Sequence, residues 1–199
     1  MSNIYVRPGV IEGFVGPMMS GKSGALLKRV DPLRWMNGKY SFIGFKPKVD
    51  DREKTCRSQI DFIDWIYVDE NSPREILKYV SQEHDLVVLD EVQFFSKEII
   101  KIILQLQRQR KNVLFAGLDL DFRGIPFGPM PGLISLANEL TKYNAICTTC
   151  GNPAYYTQRL INGKPAHYNE PIVSIEGKGK KETYTARCFE HHEVPGRGS

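Results

Sequence analysis

Short apolar runs alternate with amphipathic stretches along most of this chain of 199 residues. The largely apolar run Val10 to Val15 reads as a buried strand, and "GALLKRVDPLRW" (24–35) beyond it reads as a helix. "YSFIGFKP" (40–47) and "DFIDWIYV" (61–68) carry strand character. "NSPREILKYVSQEH" (71–84) opens on Ser72, Pro73 and Glu75, a capping box with proline at the first helical position, and predicts a helix. "DLVVLDEV" (85–92) predicts a short buried strand ending in two carboxylates. "SKEIIKIILQLQRQRK" (96–111) has helical apolar spacing, "NVLFAGLDL" (112–120) reads as a strand, and "PGLISLANELTKY" (131–143) as a helix.

Strands alternating with helices predict an α/β fold, a mainly parallel sheet with helices on both faces. Ligands of such sheets bind beyond the carboxyl ends of the strands. No internal repeat or low-complexity segment interrupts the pattern. From about residue 144 it changes to cysteines, turns and short extended stretches. The expected organisation is an α/β domain over 1–143, a small appendage over 144–194 and a frayed tail over 195–199.

Hydrophobic content of 41% is enough for a core of this size. No stretch approaches the ~20 apolar residues that span a bilayer, and "MSNIYVRPG" lacks the apolar region of a signal peptide. A cytoplasmic protein without a membrane partner is expected. The formal net charge of +4 comes from basic residues scattered among nearly as many acidic ones. It suits anionic ligands without demanding nucleic acid, and "GKGKKE" (177–182) reads as a solvated loop.

Chemistry enters at Gly16-Pro17-Met18-Met19-Ser20-Gly21-Lys22-Ser23, which fits G-x-x-x-x-G-K-[ST]. Glycines at both ends let the backbone turn and aim several N–H groups at one anion. The following helix adds its positive dipole end. Lys22 can reach the β- and γ-phosphates of ATP, and the Ser23 hydroxyl can bind Mg²⁺. The strand and helix fall where this mechanism needs them, so a P-loop NTPase-like, ATP-binding domain is expected.

Asp90 and Glu91 close the strand of "LVVLDEVQFF". An aspartate here commonly holds Mg²⁺ beside the phosphate loop. In an extended backbone Glu91 points away from Asp90, free to accept a proton from an attacking hydroxyl or to polarise a water. The pair therefore suits a kinase and an ATP hydrolase equally. Phe94-Phe95 fit either core packing or a flat slot for a planar acceptor.

Of four cysteines, Cys56 stands alone and has no assigned role. "CTTC" (147–150) and "CFEHH" (188–192) offer paired ligands at the short spacing of a tetrahedral Cys₃His zinc site. Four protein ligands make such a site structural, closing a lobe too small for its own core. His191 is the expected fourth ligand and His192 the alternative; a redox C-x-x-C pair or merely buried cysteines are the competing readings. Asn162-Gly163 in the enclosed segment signals a hairpin, and a hairpin pinned at its base resembles a lid.

Two functions fit: a small-molecule kinase with a zinc-based lid, or a P-loop ATPase whose zinc ribbon touches nucleic acid. The aromatics, glycines and mixed charge of the ribbon, with the short chain, favour the kinase. Together, GPMMSGKS, DEVQFF, "AGLDLDFRGIPFG" (116–128), C-x₂-C and Y-T-A-R-C-x₂-H resemble the cytosolic, zinc-containing (type II) thymidine kinases, from residue 10 to about 194. The resemblance implies transfer of the ATP γ-phosphate to the 5′-hydroxyl of thymidine, and of deoxyuridine, in pyrimidine nucleotide salvage. It implies Lys22, Ser23 and Asp90 on phosphates and Mg²⁺, Glu91 as general base, and Arg52 at the transferred phosphate. It implies Met18, Phe94, Leu118, Phe122 and Phe127 in the nucleoside pocket, with Thr157, Ile175, Gly177 and Tyr184 on the lid. A homotetramer inhibited by thymidine triphosphate (dTTP) also follows from the resemblance. Met19, Gly24-Ala25 and "REKTCRSQID" (52–61) depart from the family pattern.

Overall fold

The computed structural model describes residues 8–36, 40–49, 62–173 and 181–198. Its central sheet has six strands in the order β3-β2-β4-β5-β1-β6. These are β1 (Ile11–Val15), β2 (Phe42–Pro47), β3 (Trp65–Val68), β4 (Leu86–Leu89), β5 (Asn112–Gly117) and β6 (Glu139–Lys142), and every pairing between them is parallel. Successive side chains of a strand enter opposite faces. Val87 and Leu89 of β4, with Val113 and Phe115 of β5, meet α2 (Ile76–Tyr79), α3 (Glu98–Arg108) and α4 (Met130–Leu136) on one face. Leu86, Val88, Leu114 and Ala116 meet Leu26, Leu27 and Val30 of α1 (Lys22–Val30) on the other. Burial on both faces explains why these strands read as continuous apolar runs.

Three stretches differ from the sequence expectation. The first helix gives way at Asp31 to a 3₁₀ turn through Trp35, because Pro32 has no N–H to continue the ladder. The helix expected over 71–84 is a 3₁₀ turn (Pro73–Glu75) followed by the four residues of α2. Ser72 makes no side-chain cap, so the capping box does not form. Val80 is extended, and Ser81 instead folds back onto His84, its N–H 2.9 Å from Nδ1. The helix expected over 131–143 ends at Leu136, and "ELTK" becomes β6. There Asn138 clamps the start of β1: its side-chain oxygen accepts from the Ile11 N–H (2.9 Å) and its own N–H donates to the Ile11 carbonyl (2.8 Å). Tertiary pairing overrides local helical spacing.

Beyond β6 the chain forms a two-stranded ladder of β7 (Ala145–Ile146) and β8 (Pro153–Ala154). A three-stranded antiparallel sheet follows, from β9 (Tyr156–Ile161), β10 (Lys164–Pro165) and β11 (Glu182–Arg187). The expected hairpin is present: Lys164 pairs with Ile161, and Asn162 and Gly163 both have positive φ, 52° and 79°, as a type I′ turn requires. At the far end, the Tyr168 N–H donates to the Pro195 carbonyl at 2.8 Å.

Candidate active site

β1, β4 and β5 deliver their carboxyl ends side by side, and Lys22, Ser23, Asp90 and Glu91 gather there. After Val15 the chain turns at Gly16, whose φ is 147°; an added Cβ would stand 2.4 Å from the Tyr143 carbonyl oxygen. Lys22 begins α1 and is buried, its Nζ 3.5 Å from the Pro17 carbonyl. No acidic side chain occupies the first turn of α1, which leaves its positive end to an outside anion. The Ser20 hydroxyl is buried without a hydrogen-bond partner among the described residues, and a phosphate oxygen is the acceptor its position suits. Met19 is exposed and takes φ 65°.

Asp90 follows β4 and is buried beneath this loop. Its Oδ1 accepts from the Ser23 hydroxyl (3.3 Å), and its Oδ2 lies 3.5 Å from Lys46 Nζ. Burial and the neighbouring Glu91 push its carboxyl up to about 6, against the pull of Lys46 and Lys22. Glu91 is not extended as the sequence implied: φ 52° and ψ 36° put it in the left-handed region, where it opens a 3₁₀ turn over Val92–Phe94. Its N–H donates to Asp90 Oδ1 (3.0 Å), and its Oε2 accepts from Gln93 Nε2 (2.5 Å). The two carboxylates are separated by this turn and not by strand alternation.

Phe94 and Phe127 meet edge to face with centroids 5.5 Å apart, and Met18 and Leu118 pack in the same apolar group. Phe95 faces the core at 2% exposure. The two neighbouring aromatics thus differ in burial: Phe95 lies inside the core and Phe94 is half-buried against it. Phe122 and Phe127 stand on a loop folded around Asp121, whose Oδ1 accepts from the N–H groups of Arg123 (2.8 Å) and Ile125 (3.2 Å).

β9 reaches this loop from the appendage. Thr157 is buried, and its hydroxyl accepts from the Met18 N–H of the phosphate loop at 3.0 Å. Tyr184 of β11 pairs across the ladder with Arg159 and donates its hydroxyl to Glu182 (3.3 Å). Arg159, 1% exposed, is held by Glu182 Oε1 (2.7 Å) and the Pro171 carbonyl (2.5 Å), with its guanidinium 5.4 Å from the Phe122 ring. Arg52, Ile175, Gly177 and Cys56 lie outside the described residues.

Cys147, Cys150, Cys188 and His191 converge, their ligand atoms all within 4.8 Å of one another. Cys150 and Cys188 sulfurs are 3.7 Å apart, and the Cys188 sulfur lies 3.1 Å from His191 Nδ1. Tetrahedral zinc with metal–sulfur bonds of about 2.3 Å separates its ligands by distances of this order. Burial raises the Cys147 thiol, but N–H donors from Cys188, Thr149 and Cys150 outweigh it and take it down to about 5, the thiolate a metal requires. The set is thus compatible with structural zinc. His192 is committed elsewhere: its Nε2 is 2.9 Å from the Phe122 carbonyl and its ring stacks on Tyr156 at 4.7 Å.

Sequence reasoning missed Gln93, Lys46 and Arg159. Gln93 carried one available signal, a polar residue between Val92 and Phe94 directly after the carboxylates; nothing in the sequence marked the other two. A phosphate loop at the carboxyl edge of an all-parallel sheet, with a strand-end aspartate against its serine, defines a P-loop nucleoside-triphosphate-binding protein. A sequence model described as thymidine kinase matches residues 9–192. A thymidine kinase of Coprothermobacter proteolyticus is 42% identical over 195 residues, 98% of this chain and 96% of that relative. The chain belongs to the thymidine kinase family.

Proposed function

We infer that this kinase attaches the ATP γ-phosphate to the 5′-hydroxyl of thymidine, with Glu91 as the base. The observation that carries the reading is the meeting of loop and dyad: Ser23 Oγ lies 3.3 Å from Asp90 Oδ1, and Glu91, next in the chain, donates its N–H to the same Asp90 oxygen and opens the turn that ends at Phe94. The 5′-oxygen forms a bond to the γ-phosphorus, the bond from phosphorus to the β–γ bridging oxygen breaks, and ADP leaves. The hydroxyl proton passes to Glu91. Phosphoryl transfer is chiefly positioning and charge stabilisation. Loop N–H groups, Lys22 and the Ser20 hydroxyl would hold the phosphates. Mg²⁺ arriving with ATP neutralises phosphate charge, and Ser23 and Asp90 are the residues that would hold it. Arg52 is proposed to offset charge on the transferred group.

Met18, Phe94, Leu118, Phe122 and Phe127 are proposed to form the slot for the base and sugar. Thr157, Ile175, Gly177 and Tyr184 would close over it from a lid over 144–194, distinct from an α/β domain over 1–143 and a tail over 195–199. Zinc on Cys147, Cys150, Cys188 and His191 would stabilise that lid without chemistry. Deoxyuridine as second acceptor, inhibition by dTTP and a homotetramer rest on family membership alone, and a cytoplasmic location is proposed with them. Among the described residues no helix is long and apolar enough to cross a membrane.

ADP release with Mg-ATP tests the reading, comparing no acceptor, thymidine, deoxycytidine and single-stranded DNA. Release that depends on thymidine and yields thymidine monophosphate is expected. Release that ignores thymidine and rises with DNA would overturn it and reassign the cysteine lobe to nucleic-acid contact.

A further inference from the structure

We propose that Gln93 is a positioning residue for phosphoryl transfer, fixing the Glu91 carboxylate relative to the Leu118 wall of the nucleoside slot. The inference rests on the reading of Glu91 as the base. Gln93 is 1% exposed, and a carboxamide buried so deeply is costly unless both its ends are satisfied. Nε2 donates to Glu91 Oε2 at 2.5 Å, and Oε1 accepts the Leu118 N–H at 3.0 Å. One side chain therefore ties the end of β4 to the end of β5.

The surroundings are shaped for it. A Cβ at Gly117 would stand 2.6 Å from Gln93 Oε1. One at Gly128, where φ is +48°, would stand 2.4 Å from the Gln93 carbonyl oxygen. Two segments thus forgo side chains where this residue passes. Glu91 itself sits in the left-handed region at φ 52°, a conformation unfavourable for a non-glycine residue that persists only where neighbours enforce it. The Gln93 amide is one such neighbour. A base works only within hydrogen-bond reach of its proton, and a displacement of about 1 Å can cost about 10²-fold. A cross-link merely joining two strand ends would not need to terminate on that carboxylate.

The test compares wild type, Glu91→Gln, Gln93→Glu, Gln93→Met and the double variant Glu91→Gln/Gln93→Glu, in the full-length protein with saturating Mg-ATP. Gln93→Met removes the donor to Glu91 without adding charge, whereas Gln93→Glu keeps the acceptor for the Leu118 N–H but sets a second carboxyl against Glu91. Its kcat is expected to fall roughly 10- to 100-fold with the thymidine KM within about threefold of wild type. The double variant is expected to be no slower than Glu91→Gln alone, because residues acting through one group are not additive. Gln93→Met must meet the same kcat criterion whether or not Gln93→Glu folds, with its melting temperature checked, since it adds no charge beside Glu91. A Glu91→Gln variant that is inactive beside a Gln93 variant whose kcat stays within about threefold would overturn the role of Gln93. A loss confined to KM, or additive losses in the double variant, would overturn it too. Near-normal turnover of Glu91→Gln would instead remove the reading of Glu91 on which it rests.

Discussion

Asp90 and Glu91 are neighbours with different environments. Asp90 is buried against Ser23 and Lys46, whereas Glu91 is half-buried on a left-handed turn bound to Gln93. Under the proposed mechanism, that separation would let one carboxylate serve the metal and the other the acceptor. Glu91→Gln should therefore lower kcat by roughly 10²- to 10⁴-fold while thymidine affinity, measured by calorimetry, stays within a few fold. The Asp90 carboxyl is raised from 3.8 to about 6, burial being the main cause. A group raised in the folded state binds its proton more tightly there than in the unfolded chain. Its contribution favours folding below about pH 4 and is lost as pH rises through about 6, an effect of about 3 kcal/mol. Melting temperatures of the ligand-free protein across pH 4–7 should fall less steeply in Asp90→Asn than in wild type; identical slopes would contradict the assignment. The phosphate loop and the carboxylate pair were legible because each is a local motif with its own chemistry. Gln93 and Lys46 were not, since their partners are chosen by the packing of β4 against its neighbours.

Elements that obey their own local physics were read correctly, and those decided by distant partners were not. α3 has apolar residues at Ile99, Ile102, Ile103 and Leu106, all buried, and its helical spacing suffices to define it. The 162–163 turn needs only Asn-Gly. β6 was misread because its identity depends on the Asn138 clamp to β1, more than a hundred residues away. The capping box at Ser72 failed because the chain leaves the helix at Val80 before the cap can stabilise several turns. The Cys₃His cluster joins the two ends of the appendage, and its spacing alone identified it. Cys188→Ser should lower zinc content measured by atomic absorption, and raise the thymidine KM several-fold. Circular dichroism of the central sheet and helices should change little. A metal-free variant with wild-type KM and melting would refute a structural zinc there.

On the scale of the molecule, parallel strands bring their carboxyl ends to one edge and the appendage returns to that edge through β9. Several contacts join them, among them His192 to the Phe122 carbonyl and Arg159 over the Phe122 ring; at the phosphate loop it is the Met18 N–H that donates to the Thr157 hydroxyl. Thr157→Val preserves shape and removes the acceptor, leaving a partly buried donor at a cost of about 1 kcal/mol. Affinities for ATP and thymidine should weaken together, read by titrating each substrate alone and in the presence of the other. Weakening of thymidine alone would assign Thr157 to the nucleoside side only. The mainly parallel sheet and the place of the phosphate loop at its carboxyl edge followed from strand–helix alternation; the order of the strands did not. Nor did the contacts between lobes, because nothing local in "YYTQRL" reveals what lies opposite it.

The most direct measurement offers the protein Mg-ATP with thymidine, 3′-deoxythymidine or 5′-deoxythymidine, and identifies the phosphorylated product by ³¹P spectroscopy. A base at Glu91 aimed at the 5′-hydroxyl predicts that the first two acceptors yield 5′-monophosphates. The third should bind and inhibit without being phosphorylated. Phosphate appearing on a 3′-oxygen, or ADP formed at equal rates with all three nucleosides, would contradict it.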